Sequence, residues 1–220
     1  MNRYELDKII DEGEGFQIEF KRKVSSPEKI ARALSAFANT RGGKILFGVD
    51  DDGSIVGVES EKTEIEFIAF AGEQLCEPPV IPDIEIVPVN GKDVIVATIS
   101  ESEEKPHYFL ADAATEENGG ERVYIRVNDK TLIASKEVIR ILRDERKESK
   151  PLTIEIGENE RRLFRHLESH ERITVKQYSE LVNISDRRAS RILVRLVRAG
   201  VIRIHTLEKT DFFTLASPME

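Results

Sequence analysis

The sequence predicts an α+β fold in two parts, a larger domain over residues 1–150 and a small helix-rich one over 151–220. Three observations carry this reading. Through the first part, short runs of period-2 hydrophobicity bounded by Gly and Asn turns alternate with segments of helical period, the pattern of a largely antiparallel sheet with flanking helices. At Lys147-Glu148-Ser149-Lys150 a charged tail meets Pro151 and the apolar periodicity stops. The length of 220 residues also exceeds the usual single-domain size of about 100–150.

The elements of the first part follow in order. Tyr4, Leu6, Ile9 and Ile10 sketch a short amphipathic helix ended by Gly13 and Gly15. Phe16, Ile18 and Phe20 alternate with Gln17, Glu19 and Lys21, so Glu19 and Lys21 share the polar face of a half-buried strand. Ser25-Ser26-Pro27-Glu28 offers a serine cap and a first-turn proline to a helix carrying Ile30, Ala31, Leu34, Phe37 and Ala38. Lys44–Val49 reads as a buried strand, and Asp50-Asp51-Asp52-Gly53 as a tight turn into Ser54–Val58, a hairpin by its turn chemistry. A second helix is expected over Glu61–Cys76. Asn90-Gly91 joins strands Ile84–Val89 and Val94–Ile99, and two more strands near His107–Leu110 and Val123–Val127 enclose a polar loop at Ala113–Glu121. Ser135 caps a last helix through Val138, Ile139, Ile141 and Leu142.

Composition narrows the function classes. No window approaches the ~18 uninterrupted apolar residues of a membrane span, and Met1–Glu5 lacks a basic stretch leading into an apolar run, so a cytoplasmic protein without a membrane partner is expected. Cys76 is the one cysteine, which excludes an internal disulfide or a thiolate zinc cluster within one chain, and its apolar neighbours make it a core thiol. His166 and His170 stand i,i+4 without a carboxylate ligand in any zinc motif. The net charge of −8 argues against a general polyanion binder but is unevenly spread. Residues 1–150 hold 21 basic against 31 acidic residues, net −10, and 151–220 hold 12 against 10, net +2.

The basic end has a definite form. Leu163, Phe164 and Leu167 line one helix over Glu160–Ser169, and Tyr178, Leu181 and Val182 a second over Val175–Val182. In a third, over Asp186–Ala199, Ser185 is the cap, Ala189, Ile192, Leu193, Leu196 and Val197 recur at helical spacing, and Gly200 is the stop. Val201–Ile204 and Phe212–Leu215 form a hairpin with a wing at Thr206–Asp211, so the order is that of a winged helix-turn-helix. With the apolar face inward, Arg187, Arg188, Arg191, Arg195 and Arg198 project outward, a cationic stripe able to meet guanine edges or phosphates.

Four motifs in the first part then stand in register: Gly13-Glu14-Gly15-Phe16-Gln17-Ile18-Glu19-Phe20-Lys21-Arg22, Ser35–Gly43, Leu46–Gly53 with Ile55-Val56-Gly57, and the pair Lys105-Pro106-His107 and Tyr124-Ile125-Arg126. In this order they resemble the Schlafen AlbA-like domain, over about residues 3–145. The resemblance implies DNA binding of a regulatory kind. It also implies an alternative, because some Schlafen relatives cut RNA with three carboxylates, matched here by Glu14, Glu19 and Asp51. A divalent Mg or Mn ion would then be the cofactor and Lys21 would steady the phosphate. Gly42-Gly43-Lys44 does not complete a Gly-x-x-x-x-Gly-Lys-Ser/Thr loop and reads as a helix-to-strand turn.

The expectation is a DNA-binding transcriptional regulator acting as a homodimer, in which the winged helix reads DNA and the AlbA-like domain serves as an assembly or auxiliary nucleic-acid platform. The alternatives are a metal-dependent nuclease acting on RNA or DNA and a protein-interaction module.

Overall fold

The computed structural model describes residues 1–110, 122–145, 155–207 and 210–216. The polar loop at Ala113–Glu121 and the boundary at Lys147–Pro151 lie outside the described residues. The fold is α+β, in two compact units, Met1–Ala134 and Ser135–Glu220.

In the first unit, α1 (Arg3–Glu12) starts at a reciprocal cap between Asn2 and Glu5 and stops where Gly13 takes a φ of 75°. Strand β1 (Ile18–Lys21) pairs in parallel with β2 (Gly43–Phe47), Ile18 opposite Lys44. A parallel pair needs a long crossover, and α2 (Pro27–Ala38) supplies it, capped by the Ser26 hydroxyl accepting from the Lys29 N–H. The return from α2 is tight. A side chain at Gly43 would come within 2.5 Å of both the Gln17 carbonyl and the Phe37 ring.

The hairpin expected after Asp50–Gly53 is reduced to one bridge between Val49 and Ile55. The Val56 and Gly57 amides both donate to the Gly48 carbonyl at 2.9 Å, and Gly57 at φ 77° turns the chain away, so no ladder can propagate. Helix α3 (Glu61–Gln74) stops short of the expected Cys76. Cys76–Glu77 forms β3, which pairs with β6 (Tyr108–Phe109), because the backbone there is needed by a sheet edge. The thiol is 1% exposed, and burial pushes it up to about 12, which keeps it protonated and inert.

Strands β4 (Asp83–Val89) and β5 (Lys92–Ile99) join through Asn90 and Gly91, both at positive φ as the turn chemistry requires. Strand β7 (Arg122–Val127) pairs with β6 and with β8 (Lys130–Ile133), a strand absent from the sequence reading. Its signal was Asn128, which takes the left-handed conformation of a tight turn.

The described strands of the first unit make two sheets, β1-β2-β5-β4 and β3-β6-β7-β8, antiparallel except for β1 and β2. Helix α2 packs between them: Ile30, Leu34 and Phe37 share a core with Ile45, Phe47, Ile95 and Ala97 of the first sheet and Phe109 and Tyr124 of the second. The opposite face of the first sheet, with Phe20, Leu46, Val94 and Val96, packs on Leu6 of α1. Strand β2 is therefore covered on both faces, which is why its sequence reads as a continuous apolar run.

The second unit begins with α4 (Lys136–Asp144), capped by Ser135. Sequence periodicity attaches this helix to the first domain. In the structure it packs on the third helix of the winged domain. Helices α5 (Glu158–His170), α6 (Val175–Val182) and α7 (Asp186–Arg198) enclose Leu163, Leu167, Tyr178, Ala189, Leu193 and Leu196. Strands β9 (Ile202–His205) and β10 (Phe212–Leu215) form the hairpin, and Ile173 adds a one-residue third strand by pairing with Phe213. Among the described residues no helix is long and apolar enough to cross a membrane.

Candidate nucleic-acid interface

Burial of Ala189, Leu193 and Leu196 fixes the rotation of α7 about its axis. The outward arc then holds Arg187, Arg188, Arg191 and Arg195, all exposed, with Asp186 as the one acidic residue of the helix. Ser185 accepts from the Arg188 N–H and so places the first basic turn at the helix start.

Arg198, which periodicity groups with the stripe, stands apart from it. Its guanidinium lies 3.3 Å from Asp144 on α4 and its side chain is 19% exposed. Ser190 and Val194 on α7 are buried, 3% and 4% exposed, and Ser190 meets α4. The Ser190 hydroxyl donates to Glu137 at 2.5 Å and accepts from Arg140. The sequence reading missed this contact. Its available signal was Val194, an apolar residue outside the five-position stripe that faces the domain core.

At the base of the wing, burial raises the Asp211 carboxyl above its ordinary range. Glu137 adds to this, while hydrogen bonds from Ser135 and the Leu207 backbone act in the opposite direction. Its Oδ2 is buried with no hydrogen-bond partner among the described residues. A carboxyl raised on folding favours the fold most below its unfolded value of about 3.9 and loses that contribution as pH rises through the folded value. Ionised Asp211 therefore weakens the unit at neutral pH. Asp211→Asn, which keeps an acceptor for Ser135, is expected to raise the unfolding temperature at pH 7 and to narrow its gap to wild type as pH falls towards 4. A lower unfolding temperature than wild type at pH 7 would show that the hydrogen bonds outweigh burial.

The carboxylates singled out in the first unit have separate partners. Glu14 accepts from the Phe20 N–H at 2.7 Å and ties the turn before β1 to the strand. Glu19 lies 2.5 Å from both Lys21 and Arg126, with its side chain 14% exposed. Arg126, 1% exposed at its side chain, also donates to Thr131 and to the Gly15 carbonyl, and its guanidinium lies 4.6 Å from the Phe37 ring centroid. Asp51 sits exposed in the turn after Val49, where its N–H donates to Asp50. The structure thus brings Glu19 and Lys21 together. Among the described residues no group of three His, Cys, Asp or Glu side chains is placed to hold a metal ion. His166 and His170 stack with ring centroids 4.3 Å apart, and burial, followed by the neighbouring His170, lowers the His166 pKa.

Asn39 makes a second buried polar junction. Its amide donates to the His107 and Tyr124 carbonyls at 2.9 and 3.0 Å and accepts from the His107 N–H at 2.7 Å. It therefore fastens the end of α2 to the second sheet. Sequence motifs contain Asn39 and Arg126 without revealing either role, since each partner lies far along the chain.

A family model described as Schlafen, AlbA_2 matches residues 14–135. Another, described as winged helix-turn-helix DNA-binding, matches residues 157–203. No curated protein matches the chain. Among solved structures, the chain is similar to the DIP2311 protein from Corynebacterium diphtheriae at 18% identity, over 68% of this chain and 33% of that one, with a TM-score of 0.49. It is also similar to the N-terminal domain of a RecG-related protein from Nitrosomonas europaea at 27% identity, over 56% and 88% of the two chains, with a TM-score of 0.43. The chain thus spans a third of the length of the first of these structures.

Proposed function

The chain belongs to the Schlafen AlbA_2 family and carries a winged helix-turn-helix after that domain, and from that premise we propose that it is a DNA-binding transcriptional regulator. In this reading α7 enters the major groove and the AlbA_2 domain serves as an assembly or auxiliary nucleic-acid platform. The observation that carries it is the exposure of Arg187, Arg188, Arg191 and Arg195 on one arc of a helix whose opposite face is locked into the three-helix core. Such an arc offers phosphate contacts, and bidentate pairing to guanine, from a rigid element. The net −10 of residues 1–150 leaves this arc to supply most of the attraction for DNA. One winged helix reads a short half-site, so the regulator works as a homodimer on two half-sites about one helical turn apart.

The test is a salt titration of duplex DNA binding by wild type and Arg191→Ala, with the oligomeric state measured on the same samples. Wild type is expected to bind as a dimer, with affinity falling steeply as salt rises. Arg191→Ala is expected to weaken binding about 10-fold, within the ~1–3 kcal/mol of a good arginine–base pair. Absence of binding by both proteins at low salt would remove the DNA reading. Binding by a strict monomer would remove the pairing alone.

A further inference from the structure

We propose that α4 extends the DNA interface, so that its outer row of Lys136, Arg140 and Arg143 contacts duplex phosphates alongside the α7 arginines; this rests on the DNA reading above. Two contacts define the seam between the two helices. Glu137 of α4 meets Ser190 of α7, and Asp144 meets Arg198. Both pairs advance in the same direction by about two turns, so α4 and α7 lie side by side and parallel.

Positions on each helix then sort about that seam. On α7, Ala189, Leu193 and Leu196 lie on the core side of the Ser190–Val194–Arg198 row, and Arg187, Arg191 and Arg195 on the other. On α4, Val138 and Leu142 are buried on one side of the Glu137–Asp144 row, and Lys136, Arg140 and Arg143 occupy the other. For parallel neighbours of the same hand, buried rows on one side of the seam put both basic rows on the opposite, outer side.

The acidic residues of α4 have a different position. Glu137 is 18% exposed at its side chain and engaged by Ser190 and Arg140; Asp144 is engaged by Arg198. Both carboxylates are thus drawn into the seam, Arg140 bridges its outer edge through Ser190 and Glu137, and Lys136 and Arg143 stand exposed beside it.

Lys136 gives an independent sign. It is exposed at the first position of α4, where the helix dipole favours an acidic residue and opposes a base. A lysine there costs the helix a little and adds to the basic row, a cost that a polyanionic partner would offset. Arg140 reaches the Ser190 hydroxyl, one turn along α7 from Arg187 and next to Arg191. The two rows consequently lie on one side of the seam as a single basic surface, suited to phosphate contacts that position rather than specify.

The experiment uses the full chain, with duplex DNA titrated against salt. Lys136→Ala and Arg140→Ala are each expected to reduce the logarithmic salt slope by about one and to weaken binding equally for all duplex sequences, the signature of a lost phosphate contact. Lys136→Arg should bind as wild type does. Thermal unfolding of Lys136→Ala should match or exceed wild type, which separates lost contact from lost fold; Arg140→Ala, which also loses its contacts with Ser190 and Glu137, counts only through its salt slope. If both alanine variants keep the wild-type slope while Arg191→Ala binds more weakly, α4 is not part of the interface and the DNA reading stands. If wild type itself shows no salt-dependent binding, the DNA reading fails and this extension with it.

Discussion

Arg126→Ala is expected to destabilise the first unit by about 3–5 kcal/mol, the cost of leaving one partner of a buried ion pair without the other. The Arg126 side chain is 1% exposed, and its loss would strand Glu19, which lies 14% exposed, together with the Gly15 carbonyl and the Thr131 hydroxyl. Lys21 sits 2.5 Å from Glu19 and compensates only partly, since its side chain is 24% exposed against 1% for Arg126 and its attraction is more screened by water. Urea unfolding at constant denaturant slope measures the change. The combined variant Glu19→Gln with Arg126→Met should lose less than Arg126→Ala alone, because no charge is then left behind. The same comparison addresses catalysis. Should wild type cut structured RNA with Mn²⁺ or Mg²⁺, and Glu19→Gln lose that cutting while staying as stable as wild type, Glu19 would be a catalytic residue rather than the anchor of Arg126.

The second large effect is expected at Asn39. Asn39→Ala leaves the His107 N–H and the carbonyls of His107 and Tyr124 without their partner in an interior where Asn39 is 1% exposed. Buried unsatisfied groups cost about 1–3 kcal/mol each. Part of that is relieved by local shifts, so a loss of about 3 kcal/mol is the expected outcome. Hydrogen exchange gives the sharper check. The His107 amide should exchange faster, at a rate set by local opening of the second sheet, while the Leu46 and Val96 amides in the first sheet change only with global stability. Equal acceleration everywhere would mean that Asn39 supports the whole unit rather than this junction. Asn39→Asp should be worse than alanine, because a carboxylate would face two carbonyl oxygens.

These two residues show why part of the structure was legible in advance and part was not. The starts of α2, α4 and α7 could be read from Ser26, Ser135 and Ser185, whose hydroxyls act on amides three residues away. The β4–β5 hairpin could be read from Asn90-Gly91 because a two-residue turn demands positive φ. The interiors of α7 and β2 were equally plain in their hydrophobic periods. Each of these signals is local, with cause and effect within one or two turns of chain.

The failures share the opposite character. Ser54–Val58 carries hairpin chemistry, yet the Gly48 carbonyl takes two amides and the ladder ends at one bridge. Cys76 continues a helical period but is claimed by Phe109 across a sheet. Arg198 has the spacing of the arginine stripe, but Asp144, 54 positions earlier, holds it.

The sequence by itself determined the α+β class, the order of the winged-helix elements and the inward face of α7, because capping, turn and periodicity act over a few residues, while the AlbA-like domain was legible through the resemblance of its four motifs. Only the tertiary structure decided that α4 belongs beside α7, that Arg198 leaves the basic arc, and that Glu19 is joined to a buried Arg126. Those outcomes depend on which side chains meet after distant segments pack, and on the rule that a buried charge or polar group must find a partner there.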